Sequence, residues 1–179
     1  SKLETIFEGI SLLGDYSQKI KDEVLAQGEL LSIRTVASLL KQKNITANSV
    51  DSRFLIITDE NFGNAQPITA VSRENVISFF KKSKNTINIV SGFIASNKKG
   101  ITTTLGRNGS NYTAALLANY LDADELQNYT HVSGIYTANP DLVADAKKIE
   151  QLSFSEANEL ANFGATILHA KTIIPLLEK

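Results

Sequence analysis

Apolar residues recur with a helical period along the first third of the chain. Leu3, Ile6, Phe7, Ile10 and Leu13 share one face. Ser17 stands where the N-cap of a second helix belongs, running to about Lys41 with Gly28 interrupting it. Past Asn44 the pattern becomes short β-branched runs between helices. Phe54–Thr58 predicts a strand before the turn-rich Asp59–Asn64, Ser72–Lys82 a helix, and Thr86–Val90 a strand that ends at Ser91-Gly92. Ile101–Leu105 predicts a further strand, then a glycine-bearing turn at 106–109 and a helix over Ser110–Leu121. A strand near Glu125–Thr130 leads into a loop with Gly134 and Asn139-Pro140. Helices follow over Phe154–Ala161 and, after Gly164, over Ala165–Leu177. Apolar strands alternating with helices of about ten residues predict an α/β sandwich with a mainly parallel sheet.

Composition narrows the chemistry. A chain of 179 residues fits one domain, able to bury roughly 70% of its unfolded surface. Eighteen Lys and Arg against nineteen Asp and Glu give a net charge of −1, which argues against a nucleic-acid or anionic-membrane partner. No cysteine is present, so disulfides, thiolate metal sites and a cysteine nucleophile are excluded. The two histidines, His131 and His169, are too few for a His-rich metal cage. Apolar runs span only a few residues, so no membrane span is expected. The chain starts with Ser and lacks Met, and the expectation is a piece of a longer gene product.

The sharpest candidate site is Thr102–Thr113. A strand enters a turn with glycines at 106 and 109, and Ser110 occupies a helix N-cap position. The free amides and dipole of a helix start favour an anion at the strand's C-terminal end. Arg107 adds a forked cation suited to carboxylate or phosphate. The plainer reading is a tight turn with a solvated arginine. The loop Tyr129–Asp141 follows a strand end, where α/β sheets bind ligands, and Tyr136 either packs on a nucleotide or anchors the core. Glu29 is a lone carboxylate in the apolar stretch Val24–Leu31, at the helix surface or held by a cation such as Arg107. His169 reads as a core-edge histidine.

At these residues the chain resembles the kinase domain of aspartokinases, in the amino acid kinase superfamily. The resemblance is carried by Gln27–Ser32, Thr58–Gly63, Gly92-Phe93-Ile94, Thr102–Ser110 with Tyr112–Ala115, Val132–Thr137, and Asn162–Ala165 with Ile167–His169, in family order over nearly the whole chain. It implies a three-layer αβα sandwich (the amino acid kinase, or carbamate kinase-like, fold), incomplete at its N-terminus, with residues 1–179 forming part of the catalytic domain. It implies transfer of the ATP γ-phosphoryl group, with Mg²⁺, to the β-carboxylate of L-aspartate, opening the route to lysine, threonine and methionine. The implied roles are Glu29, Arg107 and Ser110 on the aspartate side, with Arg107 gripping a substrate carboxylate, and Thr130, Gly134 and Tyr136 on the nucleotide loop. A cytoplasmic enzyme, homo-oligomeric at full length, is implied as well.

The chain departs from the family's wording at several positions. Asn111 stands where the family has Asp, His131 for Asp, Asp141 for Arg, Thr166 for Lys, and Ala170 for Pro. Most of these fall on the nucleotide side, so an altered nucleotide pocket is expected. The family's opening Lys-Phe-Gly-Gly strand does not occur between Ser1 and Lys179. The fragment alone is therefore expected not to catalyse. Two alternatives stay open: a non-catalytic regulatory or dimerisation module, and a sibling kinase with another acidic or carbamate substrate.

Overall fold

The computed structural model describes residues 2–83, 87–130, 134–139, 142–162 and 170–177. Two units divide the chain, Ser1–Thr113 and Ala114–Lys179. In the first, helix α1 (Lys2–Leu13) stops at Gly14, whose φ of +67° suits a left-handed C-cap and whose amide donates to the Ile10 carbonyl at 2.9 Å. Helix α2 (Gln18–Gln42) is capped by Ser17, extended at φ −79° and ψ 160°, whose hydroxyl accepts from the Ile20 amide at 3.4 Å. Gly28 does not interrupt it. A Cβ there would meet nothing within 4 Å, and the helix runs on past it.

Strand β1 (Ala47–Val50) leads to a short 3-10 helix at Ser52–Phe54, then β2 (Ile57–Thr58), helix α3 (Thr69–Lys82), β3 (Ile87–Val90), β4 (Ile94–Asn97) and β5 (Thr102–Thr104). The expected parallel pairing occurs twice: β1 with β3 in the register Ala47–Ile87, and β2 with β4 in the register Ile57–Ser96. β5 runs antiparallel to β4, so the three strands lie in the order β2-β4-β5.

Ala26, Leu30 and Ile33 of α2 form one buried stripe against Ile94 of β4, with Ile89 and Phe93 at its margin. Much of the remaining core is polar and internally bonded. The Ser52 and Ser91 hydroxyls are 2.8 Å apart, and that of Ser52 also donates to the Ile94 carbonyl at 2.6 Å. The Thr58 and Thr103 hydroxyls meet at 2.8 Å, and Ser96 donates to the Arg53 carbonyl at 2.6 Å. Small hydroxyl residues let elements approach closely while each buried donor keeps an acceptor.

This polar core explains where the pattern misleads. Only Ile57-Thr58 of the expected strand at 54–58 is strand, because Asp51 accepts the Arg53 amide and starts a 3-10 turn that ends at Phe54, leaving Phe54 exposed. β1 and β4, Ala-Asn-Ser-Val and Ile-Ala-Ser-Asn, carry too little β-branched character to be recognised, and it is pairing that makes them strands. Helix α3 begins at Thr69, ahead of the expected Ser72.

In the second unit α4 (Gly109–Tyr120), which starts in the first, is followed by the antiparallel pair β6 (Ile135–Tyr136) and β7 (Lys148–Ile149), then α5 (Phe154–Asn162) and α6 (Ala170–Leu177). The Asn119 side-chain amide donates to the Pro175 carbonyl at 2.8 Å, tying α4 to α6. Ser153 and Glu156 form a capping box before α5, each side chain accepting from the other's backbone amide. The Ser153 hydroxyl, donating to the Glu156 carboxylate at 2.7 Å, and then the Ser153 amide hold that carboxyl below its ordinary value. The strand expected at 125–130 is irregular instead. Gln127 donates to Glu125 and Tyr129 to Gln127 through exposed side chains, and no strand pairs with this segment among the described residues. The expected start of the last helix, at Ala165, lies outside the described residues. Among the described residues no helix is long and apolar enough to cross a membrane.

Ile94, on β4 of the three-stranded sheet, is fully buried against Ala26, Leu30 and Ile33 of α2. Ile94→Ala is expected to lower unfolding free energy by about 2–5 kcal/mol, read by urea denaturation. A loss under about 1 kcal/mol would contradict that packing.

Candidate functional site

The C-terminal end of β5 delivers the chain into the turn Gly106–Gly109. Gly106 adopts φ +75°, and a Cβ there would lie 2.6 Å from Asn64 Oδ1 and 3.1 Å from the Gly63 carbonyl, so only glycine fits without displacing that loop. Asn108, at φ +57°, turns the chain into α4. The Gly109 amide bonds the Gly106 carbonyl at 3.0 Å and the Tyr112 amide bonds Asn108 at 2.9 Å. A helix start ordinarily offers its remaining first-turn amides to an anion. Ser110 lies inside this first turn, exposed, one residue past the helix start rather than at the N-cap.

The segment between β3 and β4 forms the wall beside it. A Cβ on Gly92 would sit 2.8 Å from Ser110 Cα, and one on Gly109 would sit 2.8 Å from the Phe93 ring. Phe93 itself is left-handed, at φ +69°, a conformation that costs a bulky residue energy. Two bonds hold it there. Its amide donates to Thr113 Oγ1 at 3.1 Å, and its carbonyl accepts from Leu105 at 2.9 Å.

Helix α2 brings the acidic groups. Asp22 is wholly buried, and its carboxylate accepts from the Gly63 amide at 2.8 Å, the Thr104 amide at 3.0 Å and the Thr104 hydroxyl at 2.9 Å. Glu29 lies seven residues on, two turns along the same face, at the edge of the Ala26–Leu30–Ile33 stripe and half-buried. Burial raises its carboxyl above the ordinary value of 4.5. Arg107 is exposed and makes no ion pair among the described residues.

Glu29, Arg107 and Ser110 thus lie in one unit on elements that meet at the end of β5. Thr130, Gly134 and Tyr136 lie in the other. Thr130 is exposed in the irregular segment, Gly134 precedes β6 with φ +146° against the Lys148 side chain, and Tyr136 pairs with Lys148 on the β6–β7 hairpin. Asn111 is half-buried in the first turn of α4. His131, Asp141, Thr166 and His169 lie outside the described residues. Sequence reasoning missed Asp22, because its three donors come from residues 41 and 82 positions away. Its place on the Glu29 face was the available signal.

An exposed guanidinium, a half-buried carboxylate and a helix start offer one cationic, one anionic and one anion-accepting subsite. That set suits a ligand carrying carboxylate, ammonium and a transferring phosphoryl group. Comparison with known proteins agrees in kind. The model of the amino acid kinase family matches residues 5–179. The lysine-sensitive aspartokinase 3 of Escherichia coli (strain K12) is 38% identical over 180 residues, covering 97% of this chain and 40% of that protein. A bifunctional aspartokinase/homoserine dehydrogenase of Buchnera aphidicola is 34% identical over 179 residues, covering 99% of this chain and 22% of the relative. The crystal structure of E. coli aspartokinase III in complex with aspartate and ADP, an R-state, superposes with a TM-score of 0.87 at 38% identity, over 99% of this chain and 41% of the other. The chain therefore spans about two-fifths or less of the length of these relatives.

The raised Glu29 carboxyl makes a signed prediction. A folded value above the unfolded one contributes stability that is complete below 4.5 and lost as pH rises through the folded value. Glu29→Gln imitates the protonated form. Its thermal midpoint is expected to exceed that of the unsubstituted protein at pH 7, with the gain disappearing below pH 4.5. Equal midpoints at pH 7, by calorimetry, would show that burial does not penalise this charge.

Proposed function

The chain belongs to the amino acid kinase family, and from that premise we propose that it supplies the acceptor side of an aspartate kinase. The reaction is transfer of the ATP γ-phosphoryl group to the β-carboxylate of L-aspartate. A carboxylate oxygen forms the new P–O bond, the bond to the β-phosphate bridging oxygen breaks, and ADP leaves with its electron pair. The nucleophile is already anionic, so no general base is required. Catalysis rests on alignment and on neutralising charge at the phosphoryl oxygens.

Each group has a role that its chemistry supports. Arg107, unpaired among the described side chains, holds a carboxylate of aspartate through its fork. Glu29 offsets its desolvation by pairing with the substrate ammonium. The α4 start, with Ser110 in its first turn, faces the phosphoryl group as it transfers. Thr130, Gly134 and Tyr136 belong to the nucleotide side. Among the described residues no three acidic or histidine side chains gather as a metal cage. Mg²⁺, which the kinase reading implies, would be carried chiefly by nucleotide phosphates and water and would supply charge screening there.

The observation that carries this reading is the convergence of α2, bearing Glu29, and the Gly106–Gly109 turn, bearing Arg107, on the end of β5. Full-length protein with aspartate, ATP and Mg²⁺ is expected to yield an acyl phosphate that hydroxylamine traps. Arg107→Ala should cut kcat/KM for aspartate about a hundredfold, with Arg107→Lys intermediate. No trapped product would overturn the aspartate reading and leave the non-catalytic module and the sibling kinase.

A further inference from the structure

We propose that Asp22 is a positioning residue that sets the distance between Glu29 and Arg107. The inference rests on the aspartate-kinase reading for its kinetic arm, and on geometry alone for the rest. Asp22 has no solvent exposure and spends both carboxylate oxygens on two segments remote from it in sequence. One oxygen accepts from Gly63 N and Thr104 N, and the other from the Thr104 hydroxyl. Thr104 is the last residue of β5, three positions before Arg107. On the other side, Asp22 and Glu29 share one face of an unbroken helix, about 10 Å apart along its axis. The Asp22–Thr104 bond therefore joins the rigid carrier of Glu29 to the strand that carries Arg107.

The same carboxylate governs the third wall. Gly63 is drawn to Asp22, and Gly63 and Asn64 are the groups against which Gly106 closes. Ala65 donates to the Thr104 carbonyl at 2.9 Å, so the loop is held to α2 on one side of that contact and to β5 on the other. Loss of Asp22 would free the loop, the strand end and the helix together. Glu29 and Arg107 would then hold the bound acceptor less well, while the groups on the nucleotide side keep their places. The effect belongs in KM for the acceptor rather than in the nucleotide's KM.

Three variants of the full-length protein test this. Asp22→Ala is expected to raise the KM for aspartate about tenfold, with kcat changed less and the KM for ATP unchanged. Asp22→Asn should stay within about threefold of the unsubstituted enzyme: its carbonyl can take both amides, and the Thr104 hydroxyl can reverse and accept from its NH₂. Thr104→Val, which removes one bond at constant shape, should fall between them. Hydrogen–deuterium exchange should quicken in Asp22→Ala at Gly63, Thr104 and residues 106–109. An unchanged aspartate KM in folded Asp22→Ala, whatever its melting temperature, overturns the proposal. So does Asn failing as badly as Ala, since charge rather than geometry would then matter. If Asp22→Ala does not fold, Thr104→Val decides, and an unchanged KM and exchange pattern there overturns it. If unsubstituted protein forms no acyl phosphate, the aspartate reading fails alone. Faster exchange at 106–109 on loss of Asp22 or of the Thr104 hydroxyl would still support the latch, and unchanged exchange would sink it.

Discussion

A carboxylate cannot be taken out of water cheaply, and Asp22 is taken out completely. Its three donors come from a helix-distant loop and from the end of a strand eighty-two positions away. Three segments must therefore arrive together for any of them to sit where it does. The α2–β5 contact, the closed 59–66 loop and the Gly106 turn are consequences of that requirement. The apolar stripe of Ala26, Leu30 and Ile33 supplies the driving force, but area burial is not directional. The hydrogen bonds fix the register that the stripe leaves free.

A second constraint is steric. Gly92 and Gly109 allow the β3–β4 segment and the α4 start to approach until a methyl group would no longer fit. Between them Phe93 is held in a left-handed conformation by Thr113 and Leu105. Strain of this sort persists only where surrounding bonds over-determine it, and it collects beside sites that need fixed geometry. Here it borders the first turn of α4. Rigid backbone rather than flexible side chain thus lines the region where charge would have to be neutralised.

Electrostatically the region is unfinished without a ligand. Arg53 is paired with Asp51 at 2.7 Å and also donates to Thr102, and Lys99 is paired with Glu60 at 2.8 Å. Arg107, by contrast, joins neither pair, and Glu29 keeps a charge that its surroundings penalise. Neither Arg107 nor Glu29 has an ion pair among the described residues, and α2 and β5, which lead to them, pack against each other.

The α/β alternation, the Ser17 cap and the helix after the Gly106–Gly109 turn were legible in the sequence, because each depends on residues within a few positions of one another. The turn that carries Arg107 into α4 was legible for the same reason, whereas the helix starts one residue ahead of the expected Ser110. Tertiary structure decided what depends on remote partners. β1 and β4 are strands only through their neighbours, and residues 125–130 are irregular for want of one. Asp22 is set apart from other acids only by Thr104 and Gly63, which reach it from far along the chain. Local preference is written residue by residue, whereas burial and the satisfaction of a buried charge exist only once the chain has closed on itself.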